Sequence, residues 1–299
     1  MTRQITLTTE AASRFLSWLD DPHEDPLGLL LDHPGYRAVV RHSGTWGRAI
    51  TARDVALAAF DLPSPMYGLS AVRENAAAIR GAIEYVESNR TAILSLVEEC
   101  LAQLFSEDVA YPLGLHCVVG YDWGIGLDGN VAVNLNSRLY LEDLREVGFM
   151  MVHEATHVAY ERIHGPMGPS GIKDPGGFRH LVYTLIHNEG LAVYSALSAR
   201  SSADCLGNRD YRLLLDPAAR DRIEGELRRI LGELGSSYPG DTKAEEILDL
   251  LSSQRLSYVA GCSAFMRLEA EGGLELVRQA IQWTPEEFCH RAAANPREV

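Results

Sequence analysis

The most informative stretch of the chain is His153-Glu154-Ala155-Thr156-His157, within a segment that reads as a helix from Leu141 to His164. Because a helix turns once every 3.6 residues, the two histidines stack on one face about 6 Å apart. Two neutral imidazoles at that separation can chelate one small cation. Glu154 can reach toward a water at such an ion without binding the ion itself. The spacing therefore predicts part of a zinc hydrolase site.

The residues before this motif indicate a buried helix. The residues from Val147 to Val152 are almost wholly apolar, so we expect the helix to pack in the interior. Both histidines are then expected in the interior as well. Without a metal, buried histidines and a glutamate would leave several polar groups in need of partners. Two surface histidines beside a glutamate are the alternative, and the apolar run favours the metal.

Catalytic zinc usually has three protein ligands and one open position, so the motif predicts a third ligand elsewhere. Glu189 is the candidate, because its neighbours on a helix are all apolar. These neighbours are Val182, Leu185, Ile186, Ala192, Val193 and Ala196. A cation must lie beside a carboxylate in such a stripe, since an unpaired charge there is very costly. Lys173 or an arginine could serve. One Zn²⁺ held by His153, His157 and Glu189 is the better explanation.

Together, His153 to His157 and the Asn-Glu-Gly-Leu-Ala run at residues 188–192 resemble the gluzincin metallopeptidases. In those enzymes two histidines and a glutamate from a following helix bind zinc, and the glutamate inside the first motif is the general base, here Glu154. The second run is similar to the third-ligand segment of the zinc aminopeptidases. The 31 residues between His157 and Glu189 exceed their spacing, and their Gly-x-Met-Glu-Asn segment is missing. In overall look the chain is similar to bacterial proteins predicted to be zinc-dependent proteases.

The resemblance also implies a transition-state partner. Ser257 to Gly261 resembles a Tyr-x-x-Gly segment common near the end of such predicted proteases, often followed by a Pro-Glu-Glu-Phe helix like Pro285 to Phe288. It implies that Tyr258 donates a hydrogen bond to the oxyanion that forms during amide hydrolysis. The other candidates for this donor are His187, His180 and Tyr194.

Two implications concern the surroundings of the metal. Several gluzincins place an aspartate four residues after the third ligand to orient a histidine ligand, and here that position is Val193. Thr156, Asn188 or a backbone carbonyl would then take this role. In gluzincin-like enzymes the sheet before the zinc helix offers its edge strand to a peptide, which implies Gly129 to Asn136 here. A sheet that only packs on the helix is the equal alternative.

Most of the sequence has helical periodicity. Helices are predicted at residues 9–20, 51–61 and 70–105, the last broken near Asn89-Arg90, with further starts at Asp216-Pro217 and Thr284-Pro285. The connection Gly165 to Gly177 holds five glycines and three prolines. It cannot form a regular element, and it is either a passive connector or a lid near the site.

The exception is a strand-like region before the motif. Residues 115–121 and 131–135 read as strands, with a turn signal at Asp128-Gly129-Asn130, which predicts a hairpin or a small sheet. We therefore expect an α+β, predominantly helical fold. The resemblance implies a zincin-like catalytic fold that forms one unit over residues 1–299, with lobes at 1–164 and 165–299.

Composition narrows the partners and the compartment. The net charge of −14 argues against nucleic acid and anionic membranes as partners. No apolar run is long enough to span a membrane, and the N-terminus lacks the apolar segment of a signal peptide. Five scattered cysteines without a C-x-x-C pair are typical of a reducing compartment, so a cytoplasmic protein is expected.

These observations predict a zinc metallopeptidase that acts on a peptide or protein. Glu154 would take a proton from the attacking water and pass it to the leaving amine. Two alternatives remain open. One is a metal-dependent hydrolase of a non-peptide amide or ester, and the other is a non-catalytic metal-binding interaction protein.

Overall fold

The computed structural model describes residues 5–22, 24–106, 109, 112–166, 174–234 and 238–293. In these residues helices predominate beside one small mixed sheet, which confirms the α+β, mainly helical class. The helices before the motif are α1 (Glu10–Asp20), α2 (Glu24–Leu31), α3 (Pro34–Thr45), α4 (Ala52–Ala59), α5 (Ala76–Ser88), α6 (Arg90–Leu104) and α7 (Arg138–Glu142). From the motif onward they are α8 (Arg145–His164), α9 (Pro175–Ser202), α10 (Arg209–Leu215), α11 (Pro217–Glu233), α12 (Asp241–Ser253), α13 (Leu256–Gln282) and α14 (Pro285–Phe288), with a π-helical turn at Cys289–Ala293.

Local capping explains several helix boundaries. The Asp216 carboxylate accepts hydrogen bonds from two backbone N–H groups at the start of α11, and the Thr284 hydroxyl accepts one at the start of α14. The predicted break near Asn89 separates α5 from α6. The motif helix begins later than predicted, at Arg145, because the Asp143 carboxylate accepts from its backbone N–H.

The sheet has four strands, β1 (Ile5–Thr8), β2 (Leu113–Val118), β3 (Gly124–Leu127) and β4 (Asn130–Asn134), in the spatial order β1-β2-β4-β3. The strands β1, β2 and β4 are parallel, and β3 runs antiparallel to β4. Of the two predicted arrangements, the small sheet is confirmed and a hairpin of the two apolar runs is not formed. The assignment of residues 129–136 to the edge is wrong, since β4 lies between β2 and β3. The edge strand β3 has two glycines, which strands rarely contain, and sequence patterns do not reveal it.

Helices cover both faces of the sheet. A Cβ atom at Gly35 of α3 would lie 2.7 Å from Cβ of His116, so α3 packs on the face that His116 shares. A Cβ atom at Gly126 of β3 would lie 2.2 Å from the carbonyl oxygen of Glu154, so α8 packs closely on β3. Side chains alternate between the faces, and the register places His116 and Gly126 on opposite ones. The sheet thus supports the motif helix directly.

The chain divides into two compact units, and the division falls within α8. The first comprises Met1–Ala102 and Ser106–Val158, and the second comprises Gln103–Phe105 and Ala159–Val299. The sheet and α1 to α7 are in the first unit, apart from the last two residues of α6, whereas the second unit is built around α9 and α13. Within the described ranges, no helix has the length and apolar character needed to span a membrane.

Candidate metal centre

His153 and His157 lie one turn apart on α8, and both are partly buried. Their Nε2 atoms are 3.1 Å apart, and their ring centroids are 4.7 Å apart. Two nitrogens bound to one tetrahedral zinc at about 2.05 Å would be about 3.3 Å apart, so the pair fits a shared ion. The same distance fits a hydrogen bond between a protonated and an unprotonated ring. A third donor side chain close to both nitrogens favours the shared ion over a hydrogen bond between the two rings.

Glu189 on α9 supplies that third donor. One ligand atom from each of His153, His157 and Glu189 lies within 4.8 Å of the other two. In the part of the chain that the structure describes, no other group of three histidine, cysteine, aspartate or glutamate side chains comes together in this way. Two imidazole nitrogens and one carboxylate oxygen are the donor set of His₂Glu catalytic zinc sites. The residues present therefore fit a zinc ion.

Glu154 is buried against β3 and is not one of the three donors. A Cβ atom at Gly124 would lie 2.7 Å from Cγ of Glu154 and 2.8 Å from its Oε1. β3 can approach α8 this closely only because neither Gly124 nor Gly126 has a side chain. Sequence reasoning missed these two glycines, although glycines that alternate within four residues signal a close backbone approach.

Gly190 of the run at residues 188–192 lies against Gly261 of the Tyr-x-x-Gly segment. Gly190, directly after Glu189, lies where α9 crosses α13, and a Cβ atom there would be 2.4 Å from Cα of Gly261. A Cβ atom at Gly261 would be 2.3 Å from the carbonyl oxygen of Ile186. The helix that carries Tyr258 is therefore packed with its backbone against the helix that carries Glu189.

Tyr258 lies in the first turn of α13, beneath Arg255. The Arg255 guanidinium carbon is 3.2 Å from the centroid of the Tyr258 ring. Its Nε and one terminal nitrogen donate to the two carboxylate oxygens of Asp210 at 2.5 and 2.6 Å. Arg255 has a left-handed backbone, with φ of +59°, in which a residue with a side chain is strained. The backbone of Arg255 at one end of its side chain and the Asp210 carboxylate at the other therefore hold the guanidinium over the Tyr258 ring.

The negative charge of Glu189 also affects the pKa of Arg255. Burial by itself lowers the pKa of Arg255, but its hydrogen bonds to Asp210 and the electrostatic effects of Tyr258, Asp210 and Glu189 raise that pKa above its usual value. Arg255 is thus the arginine that could balance Glu189 in the absence of a metal. Because Asp210 already takes two of its donors, its charge is largely matched without Glu189. Sequence reasoning named neither Arg255 nor Asp210, and no sequence signal links them across 45 positions.

The other candidates for the oxyanion donor have different surroundings. His187 is fully buried, its Nδ1 is 3.1 Å from the Tyr160 hydroxyl, and burial lowers its pKa to about 3. Tyr194 is stacked on Phe265, and burial and a hydrogen bond with Glu269 raise its pKa. His180 is exposed. Tyr258 remains the prediction for this role.

The proposed orienting residues and the connection are placed only in part. The Thr156 hydroxyl donates to the carbonyl of Val152 on its own helix at 2.9 Å, and Val193 is buried. Of the connection Gly165 to Gly177, residues 167–173 lie outside the described residues, and so does the alternative partner Lys173.

Comparison with models of known protein families, with curated proteins and with solved structures finds no match to this chain.

Proposed function

We propose that the chain is a zinc-dependent peptidase with a zincin-like catalytic fold of the gluzincin type. The observation that carries this proposal is the convergence of His153, His157 and Glu189, whose ligand atoms lie within 4.8 Å of one another. Glu154 directly follows His153 in the sequence, and its carboxylate is not one of the three donors. This arrangement supports hydrolysis more than a structural ion, since structural zinc sites usually have four protein ligands.

The division of labour follows from the residue types. A bound zinc would supply Lewis acidity, which polarises the peptide carbonyl and favours deprotonation of water. Glu154 accepts the proton of the attacking water and later delivers it to the leaving amine. The Tyr258 hydroxyl donates to the developing oxyanion. Arg255 holds the Tyr258 ring and keeps a positive charge beside it.

The edge strand β3 is the proposed place for the peptide backbone. One side of β3 pairs with β4, and an extended substrate would pair with the other side. Gly124 brings this strand against Glu154, so a peptide bound there would pass close to the general base. A peptide or protein is therefore the proposed partner, with neither nucleic acid nor membrane. Five buried cysteines outside disulfides support a reducing compartment, and we propose the cytoplasm.

The test replaces Glu154 by glutamine, which keeps the shape of the side chain and removes its basicity. We expect zinc to remain bound at one ion per chain and peptide hydrolysis to fall by at least about 100-fold. Zinc is measured by elemental analysis and hydrolysis with a peptide library analysed by mass spectrometry. The matched control is Glu142→Gln, because Glu142 is an exposed residue of α7 that pairs with Arg138.

Full turnover by the Glu154→Gln variant would contradict the general-base role. Wild-type protein that binds zinc and cleaves only small amides or esters would contradict the peptidase assignment. Freshly purified protein without metal that also fails to bind added zinc would contradict the metal site.

A further inference from the structure

Three aromatic residues of the first unit, Trp46, Tyr67 and Tyr121, form a connected cluster with His42. The Tyr67 and Tyr121 rings are 4.8 Å apart, and the Tyr121 hydroxyl is 3.0 Å from Nδ1 of His42. The indole N–H of Trp46 donates to Nε2 of the same histidine at 3.3 Å. Trp46 and Tyr67 are nevertheless 39 % and 41 % exposed. Arg48, Ser64, Pro65 and Tyr67 line a cavity here, and we call this cavity together with Trp46 and Tyr121 the aromatic groove.

The backbone under the groove is held in one conformation. Tyr121 has φ of +73°, which is unusual for a bulky residue, and its N–H donates to the Tyr67 carbonyl at 2.5 Å. Gly68 has φ of +74°, and a Cβ atom there would lie 2.1 Å from the Tyr121 carbonyl oxygen. Strained residues persist only where their surroundings determine them, and they are concentrated at binding and catalytic sites.

Arg48 gives the groove a positive charge. A cavity of about 590 Å³ is lined by Arg48, Ser64, Pro65 and Tyr67. The N–H of Arg48 donates to the Ser43 carbonyl, and the Ser43 hydroxyl donates to the Arg48 carbonyl, so its backbone is anchored. Within the described residues its guanidinium makes no hydrogen bond or ion pair. In a chain of net charge −14, this exposed cation is available to a ligand.

The carboxylate of Asp122, next to Tyr67, already accepts two hydrogen bonds. The Tyr67 hydroxyl donates to Oδ2 of Asp122 at 3.3 Å, and the Trp123 N–H donates to Oδ1 at 2.8 Å. Trp123 itself is 46 % exposed. The chain then enters β3 at Gly124, whose Cα faces the Glu154 side chain.

The loop before β3 connects the groove to the strand that lies against the motif helix. Tyr67 donates to Asp122, which precedes Gly124 by two residues, and a Cβ atom at Gly124 would lie 2.7 Å from Cγ of Glu154. The groove is therefore joined through this loop to the strand that contacts the proposed general base.

We propose that the aromatic groove is a specificity subsite of the proposed peptidase, an inference that rests on that function. It accepts a substrate residue with a large apolar side chain, which enters the cavity beside Arg48 and packs on Tyr67 and Pro65. Arg48 binds a carboxylate next to that side chain, because a guanidinium pairs with carboxylates through two parallel donors. The carboxylate is either the C-terminus of the peptide or an acidic side chain.

The test measures binding to the Glu154→Gln variant by calorimetry, so that it does not depend on turnover. The probes are Ala-Ala-Ala-Ala-Phe as free acid and as amide, Ala-Ala-Ala-Ala-Ala as free acid, and Ala-Ala-Ala-Asp-Phe as amide. We expect the first peptide to bind about tenfold more tightly than the alanine peptide. If the C-terminus is the carboxylate, amidation removes about tenfold and the aspartate does not restore it. If an acidic side chain is read, the aspartate restores it.

Adding Arg48→Ala should abolish the preference for a carboxylate, and adding Tyr67→Ala should abolish the preference for phenylalanine. The matched control is Arg80→Ala, which removes the same charge from α5, where Arg80 pairs with Asp20 at 2.7 Å. Equal effects of Arg48→Ala and Arg80→Ala, or equal binding of all four peptides, would overturn the subsite. A wild-type protein that cleaves no peptide while these preferences persist would overturn the peptidase function and leave the groove as a binding site.

Discussion

Glu189 is followed by Gly190, and the two residues have separate tasks in α9. The Glu189 carboxylate lies with the two histidines, whereas Gly190 lets the backbone of α13 come close. The same division recurs in the first unit, where Glu154 lies against Gly124 and Gly126 of β3. The ligand-type residues provide chemistry, and the glycines beside them determine which element can lie against them.

The ligand role of Glu189 can be tested by metal affinity. Glu189→Gln removes the charge with little change in volume, and we expect zinc affinity to fall by at least about 100-fold, since even outer partners of ligands contribute about 10- to 100-fold. Competition with a chromophoric chelator measures the affinity. Glu233→Gln, at an exposed site on α11, is the control, and equal zinc affinities of the two variants would exclude Glu189 as a ligand.

The three donor side chains that cluster could be singled out from sequence because their signals are local, and their role as metal ligands stays a prediction. His153 and His157 are spaced by one helical turn, and the apolar neighbours of Glu189 are within seven residues of it. The pairing of Arg255 with Asp210 could not be predicted, because it joins the start of α13 to α10 through the folding of the second unit.

At the scale of elements, the backbones of α9 and α13 come into close contact where Gly190 meets Gly261. We expect Gly261→Ala to destabilise the protein by about 1–3 kcal/mol, because its Cβ atom would lie 2.3 Å from the Ile186 carbonyl oxygen. The free energy of unfolding is measured in urea.

A helical glycine without neighbours provides the control. At Gly225 of α11 a Cβ atom would meet nothing within 4 Å, so Gly225→Ala should stabilise by about 0.5–1 kcal/mol through the lower flexibility of the unfolded chain. If Gly261→Ala were as stable as Gly225→Ala, the close crossing would not exist in solution.

The elements themselves were predicted unevenly. The starts of α11 and α14 follow from aspartate or threonine before proline, which are signals within one turn. The order of the strands depends on pairing between β1 and β2, more than 100 positions apart, and on β4 entering between β2 and β3. No local pattern contains this information, so residues 129–136 were assigned to the wrong place in the sheet.

At the scale of the whole molecule, buried neutral histidines link stability to pH. Burial, opposed by a hydrogen bond with Asn130, lowers the pKa of His116 to about 4, and its Nδ1 has no hydrogen-bond partner among the described residues. The unfolded chain, with a histidine pKa of about 6.5, therefore binds this proton more readily than the folded one. The stability that His116 contributes is complete above about pH 6.5 and is lost as the pH falls toward 4.

We expect the free energy of unfolding to fall by about 1 kcal/mol per pH unit for this histidine between pH 6 and pH 4.5. His116→Gln should remove that part of the pH dependence, whatever its effect at pH 7. Urea unfolding at several pH values measures it, with His290→Gln as the control at a side chain that is 66 % exposed. The same pH slope in both variants would show that His116 does not titrate in this way.

The sequence by itself determined the mainly helical α+β class, several helix starts with their caps, and the three residues whose donor atoms meet in the candidate metal centre. These depend on interactions within one or two helical turns, which the residue order already contains. The tertiary structure alone decided that β3 is the edge strand, that Gly190 meets Gly261, that Arg255 covers Tyr258, and that Tyr67 bonds to Asp122 in the loop before β3. Each of these joins residues far apart in the chain, and only the packing of the folded molecule selects such pairs.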